Sequence, residues 1–211
     1  MNGKQARVFL GTLALALTPI GGCGKEATPA AERVESPQPS PGAPAPARLG
    51  NPSLSLLEAA FAGKADQARL ALDQGADPNT RSEDDRTSLM LAAFDGHTET
   101  LRVLLDRGAR IGDRDPAGRT ALMYAASGPN NESVRLLLDW MADPLATDLE
   151  EQFTALMFAA AEGHVDVVQT LLEYDSDPSM VDVDGETALD FATQSGHEAV
   201  VRLLRAGASN P

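Results

Sequence analysis

The sequence predicts an all-α fold, a solenoid of about five helix-turn-helix units joined by inter-repeat turns. Three observations predict it. Alanine and leucine abound while aromatic residues are only 4% of the chain, which suits close helix packing and not a β-sandwich. One short motif recurs at a nearly constant interval from residue 54 to residue 208. The residues before it lack that interval and differ in composition.

Residues 1–22 read as a signal peptide. Lys4 and Arg7 supply positive charge, and residues 8–17 form an apolar run too short to span a bilayer but suited to the core of a secretory signal. The run leads to Ile20-Gly21-Gly22-Cys23, and Cys23 is the chain's single cysteine. This segment resembles the bacterial lipobox, which implies cleavage before Cys23 and lipidation of its thiol, including an acyl chain such as palmitate. Two or more chains give stable membrane attachment. Gly24 follows where aspartate would imply inner-membrane retention, so the resemblance implies the outer membrane, facing the periplasm. A plain signal peptide with an incidental cysteine is the alternative.

Residues 23–52 read as a disordered tether. Residues 24–52 hold seven prolines and no apolar period, and such a stretch cannot offset its ordering entropy by burial. At ~3.1 Å per residue a polyproline rod of this length would reach about 90 Å.

Residues 53–211 carry the repeats. Thr87-Ser88-Leu89-Met90, Thr120-Ala121-Leu122-Met123, Thr154-Ala155-Leu156-Met157 and Thr187-Ala188-Leu189-Asp190 are spaced by 33, 34 and 33 residues. Each is followed by an alanine pair or its remnant. Gly96-His97, Gly163-His164 and Gly196-His197 come next, then paired leucines such as Leu104-Leu105 and Leu171-Leu172. Leu56-Leu57-Glu58-Ala59-Ala60 is an earlier copy without the threonine. Threonine at a helix head caps an unpaired N–H, the i, i+3, i+4 apolar stripe of each second helix buries against its neighbour, and a glycine closes the unit in the left-handed region. One unit is too small to stand alone, so stacking makes the core. The pattern resembles the ankyrin repeat over about three quarters of the chain. Where that family carries histidine after Thr-Pro-Leu, this chain has Met90, Met123, Met157 and Asp190, which makes the three methionines apolar filler.

Catalysis has no foothold. His97, His164 and His197 all sit at the Gly-His corner of a repeat, in separate units, and cannot converge on one metal at the ~2.0–2.1 Å of a ligand bond. No serine occupies a Gly-x-Ser-x-Gly turn, and no glycine-rich phosphate loop is present. Residues 182–186 contain three acids but lack the remaining ligand positions of a calcium loop, and they read as an inter-repeat turn. No enzyme activity, metal or cofactor is expected.

Charge narrows the partner. Seventeen Lys and Arg against 31 Asp and Glu give a net charge of −14, which argues against nucleic acid and against adsorption on an anionic bilayer. Residues 136–201 hold fifteen acids and no Lys or Arg, whereas residues 53–135 hold thirteen acids and ten bases. That one-signed half either aids solubility or steers a basic partner.

The irregular positions fall in the same half. In the ankyrin pattern the binding surface includes the inter-repeat turns and the residue before the closing glycine, here Arg107, Trp140 and Tyr174. Met141 and Asp175 replace the glycine itself, and Gln152 replaces a turn glycine in a turn lengthened by one residue. These departures are either drift or a binding surface, since broken local rules gather at functional sites. The surface expected is Trp140 and Tyr174 as anchors, Phe153, Glu150 and Glu151 at one edge, Arg86 and Arg119 on the earlier turns, and Arg107 before the closing glycine of its unit. The reading is a monomeric, non-enzymatic module that binds another protein and is held to the membrane by its lipid. The alternatives are an immunity protein that sequesters a secreted toxin such as a lipase, or a periplasmic stress-related scaffold.

Overall fold

The computed structural model describes residues 51–207. The signal peptide assigned to 1–22, the lipidation at Cys23 and the tether as far as residue 50 lie outside the described residues.

Among the described residues five helical hairpins follow one another. They are α1 (Pro52–Phe61) with α2 (Ala65–Asp73), α3 (Ser88–Phe94) with α4 (Thr98–Asp106), α5 (Ala121–Ala126) with α6 (Asn131–Asp139), α7 (Ala155–Glu162) with α8 (Val165–Glu173), and α9 (Ala188–Ser195) with α10 (Glu198–Gly207). First helices stack on first helices and second on second, so each unit touches its neighbours only. The first helix starts one residue inside the segment assigned to the tether: Asn51 caps it and Pro52 occupies its first turn, where the missing N–H costs nothing. Among the described residues there is no strand beyond two isolated bridges, Arg81 with Thr87 and Thr147 with Thr154. No described helix is long and apolar enough to cross a membrane.

The threonines cap as expected. The hydroxyls of Thr87, Thr120, Thr154 and Thr187 each accept the N–H three residues on, at 3.3–3.4 Å. The methionines do more than fill space. Met90 and Met157 turn their sulfurs back to the N–H of Thr87 and Thr154, 3.5 Å in each case. They thereby complete a reciprocal cap usually made by a polar side chain. Asp190 makes the same return contact with charge, at 2.8 Å to the Thr187 N–H and 2.7 Å to its hydroxyl.

The three histidines tie units together. Nε2 of His97, His164 and His197 lies 3.0–3.2 Å from the carbonyl oxygens of Phe61, Ser127 and Ala161, each in the preceding unit. A carbonyl only accepts, so Nε2 carries the proton. The His197 ring lies over Gly163, where an added Cβ would sit 2.5 Å from Nδ1 and where φ is already 78°. A side chain at that corner meets both a clash and the left-handed penalty.

Candidate interaction surface

Each inter-repeat turn is closed by a short polar side chain. The Ser82 hydroxyl accepts the Arg86 N–H at 3.3 Å, and Asp115 accepts the Arg119 N–H at 2.8 Å. Asp182 accepts the N–H groups of Asp184 and Glu186 at 2.9 and 2.7 Å. The third turn carries one more residue, and Asp148 accommodates it by accepting from Glu151 and Phe153 at 3.1 and 3.0 Å. Non-glycine residues adopt the left-handed region at Asp85 (φ 59°) and Gln152 (φ 59°), where the other two turns place Gly118 and Gly185.

In the second, third and fourth units the residue before the threonine reaches forward to an aromatic ring of the next unit. The Arg86 guanidinium lies 5.9 Å from the Tyr124 centroid, and that of Arg119 lies 5.4 Å from Phe158. In the third turn the same position is Phe153, whose ring meets Phe191 edge-on at 5.0 Å and Phe158 at 5.6 Å. Phe153 is only 7% exposed. It belongs to the core, and this corrects its assignment to the edge of the binding surface. The shared position explains why: a flat group one step before the cap covers the ring ahead of it. Arg86 and Arg119 are half-buried in the same role, Arg86 pairing with Asp84 at 3.0 Å and Arg119 facing the buried Asp148 carboxylate at 3.7 Å. Tyr124 donates to Asp115 at 2.7 Å, and burial together with that bond pushes its phenol well above its ordinary range.

A second ladder runs along the ends of the second helices. Arg107 reaches back one unit to Asp73 at 2.7 Å, and the Tyr174 hydroxyl reaches back to Asp139 at 2.5 Å. That bond holds the Tyr174 phenol above its usual pKa. Trp140 is the equivalent residue between them, and among the described residues its indole finds no hydrogen-bond partner. Trp140 is 41% exposed and Met141 85% exposed. Met141 (φ 66°) and Asp175 (φ 61°) take the left-handed conformation that Gly75 and Gly108 adopt in the first two units, at a cost on the order of 1–2 kcal/mol for a residue with a Cβ.

The expected site residues thus separate. Trp140 and Met141 form an exposed apolar step on the third unit, Tyr174 stands half-buried one unit on, and Glu150 is exposed on the lengthened turn. Glu151 is half-buried and its carbonyl accepts the Val183 N–H at 3.1 Å. Arg107 is exposed but ion-paired on the second unit. Sequence reasoning passed over Leu149, Val181 and Val183, which are 72%, 47% and 52% exposed on the third and fourth turns. Aliphatic residues at the tip and base of exposed turns were the available signal.

Comparison with protein-family models matches residues 56–148 and 143–210 to ankyrin repeats, described as three copies. A search of curated proteins finds no match.

Proposed function

The chain belongs to the ankyrin-repeat family, and we propose that it is a non-enzymatic module that docks another protein on its third and fourth units. The observation that carries this is the Trp140–Met141 step. A large aromatic ring whose indole has no hydrogen-bond partner among the described residues stands beside an apolar residue held in a costly backbone conformation, both of them exposed. Protein interfaces concentrate their energy in such rings, and strained backbone gathers at binding sites. Tyr174 adds a second ring, Glu150 a charged rim, and Arg107 a cationic neighbour. Arg86 and Arg119 cover rings of the third and fourth units.

The same proposal holds the module at the bacterial envelope through a lipid on Cys23. Its support is the charged start, the short apolar run and the Ile-Gly-Gly-Cys sequence. The full chain should partition with membranes into detergent, and Cys23→Ser should release it. A serine variant that stays bound in high salt would contradict the lipid attachment while leaving the docking surface untouched. No reaction is assigned to the module.

A further inference from the structure

Resting on the reading of units three and four as the docking face, we infer that the partner presents an extended basic segment with aliphatic side chains at intervals of about one repeat. The residue at each turn tip, just after the closing polar side chain, is Glu83, Pro116, Leu149 and Val183 in turn. It changes to an exposed aliphatic group at the third and fourth turns. The residue at the base of each turn changes in step. Arg81 and Arg114 donate to the carbonyls of Arg114 and Thr147 in the following turn, at 3.0 and 2.6 Å. The positions that continue the series are Thr147 and Val181, so the arginine ladder stops where the aliphatic tips begin.

The tips are held in register by the backbone. The Leu149 N–H donates to the Ala117 carbonyl at 2.8 Å, and the Val183 N–H donates to the Glu151 carbonyl at 3.1 Å. Leu149 also backs against Gly118, where any Cβ would collide with it. Leu149 and Val183 are therefore pre-placed one repeat apart, roughly 8–10 Å given ordinary helix stacking, and a partner need not order them. An extended chain of the polyproline II type turns every third side chain to one face at about 9 Å intervals, so one such segment can set an aliphatic side chain on each tip.

Charge selects the remaining residues of that segment. Residues 136–201 carry fifteen acids and no Lys or Arg; Arg114, Arg119 and Arg135 reach into this stretch at Thr147, Asp148 and Glu173 but leave the acids in excess, so cationic side chains between the aliphatic ones meet a field of opposite sign. An acidic segment, or an anionic bilayer, meets repulsion.

The test uses the full chain and three short synthetic peptides. One carries leucine at every third position with lysine between, one replaces its leucines by serine, and one replaces its lysines by glutamate. The Lys/Leu peptide should bind, the Lys/Ser peptide about tenfold or more weaker, and the Glu/Leu peptide not measurably. Leu149→Ser with Val183→Ser should lower Lys/Leu binding to the Lys/Ser level without changing the thermal melt. Val183→Ser alone keeps the test valid if the double variant unfolds, and should lose part of the affinity. Equal binding of the Lys/Leu and Lys/Ser peptides, unchanged binding by the variants, or preference for anionic lipid vesicles would overturn the inference. If Trp140→Ala abolishes capture of the native partner while the tip variants change nothing, the docking face stands and the extended basic segment does not.

Discussion

The ring of Phe153 meets the ring of Phe191 edge-on at 5.0 Å, across the junction of the fourth and fifth units. This contact continues a series in which Arg86 covers Tyr124 and Arg119 covers Phe158. Truncating a buried phenylalanine removes its transfer energy and leaves a cavity. Phe153→Ala should therefore cost about 3 kcal/mol, seen as a lower midpoint in urea and early loss of the last unit. Parent-like unfolding would return Phe153 to the surface.

Arg119 stands between a ring and a buried carboxylate, 5.4 Å from the Phe158 centroid and 3.7 Å from Asp148. Removing the cation leaves Asp148 with only its backbone donors, and a buried charge stripped of its counter-ion is costly. Arg119→Ala should destabilise by about 2 kcal/mol. Arg119→Lys should restore little, because an ammonium lacks the planar group that lies along the ring. Full rescue by lysine in thermal melts would show that charge alone matters there.

Much of this architecture is readable in the chain. The 33- and 34-residue spacing, the threonine caps and the Gly-His corners are local signals, and each corresponds to one hydrogen bond or one backbone angle. Phe153 was not readable that way. Its environment is set by a ring in the next unit, and only comparison with Arg86 and Arg119 at the equivalent positions shows that this position points inward. The methionine sulfurs escaped for a related reason: a thioether reads as apolar filler until its distance to a cap N–H is known. The exposed step at Trp140 and Met141 was visible because both residues replace the ones a closing turn prefers.

Met141 is the plainest case of stored strain. No added side chain would meet an obstacle at the equivalent Gly75 or Gly108, so the penalty at Met141 is one of backbone alone. Met141→Gly should raise stability by about 1 kcal/mol, or roughly 2–4 °C in melting temperature for a domain of this size. It should weaken partner capture at the same time. A stabilised variant that captures as well as the parent would make Met141 drift and not contact.

Asp190 makes the last unit sensitive to acid. The N–H and hydroxyl of Thr187 bond its carboxylate and hold its pKa below the ordinary aspartate range. A group with a depressed folded-state pKa stabilises above its unfolded value, about 3.9, and that stability is lost as pH falls through the folded value. The parent should thus lose more stability between neutral pH and pH of about 3 than Asp190→Asn, in urea titrations at each pH. Equal losses in the two proteins would show that the charge at this cap contributes nothing.

The docking face itself rests on Trp140. The most direct measurement is quantitative capture of the native partner from the protein's own membranes by the parent and by Trp140→Ala, with helicity and melting followed in parallel. The indole has no hydrogen-bond partner among the described residues and is 41% exposed, so the variant should fold and melt as the parent does. It should lose tenfold or more in affinity, at roughly 1.4 kcal/mol per decade. Capture at the parental level by a folded Trp140→Ala protein would contradict the account and place the partner elsewhere on the repeats.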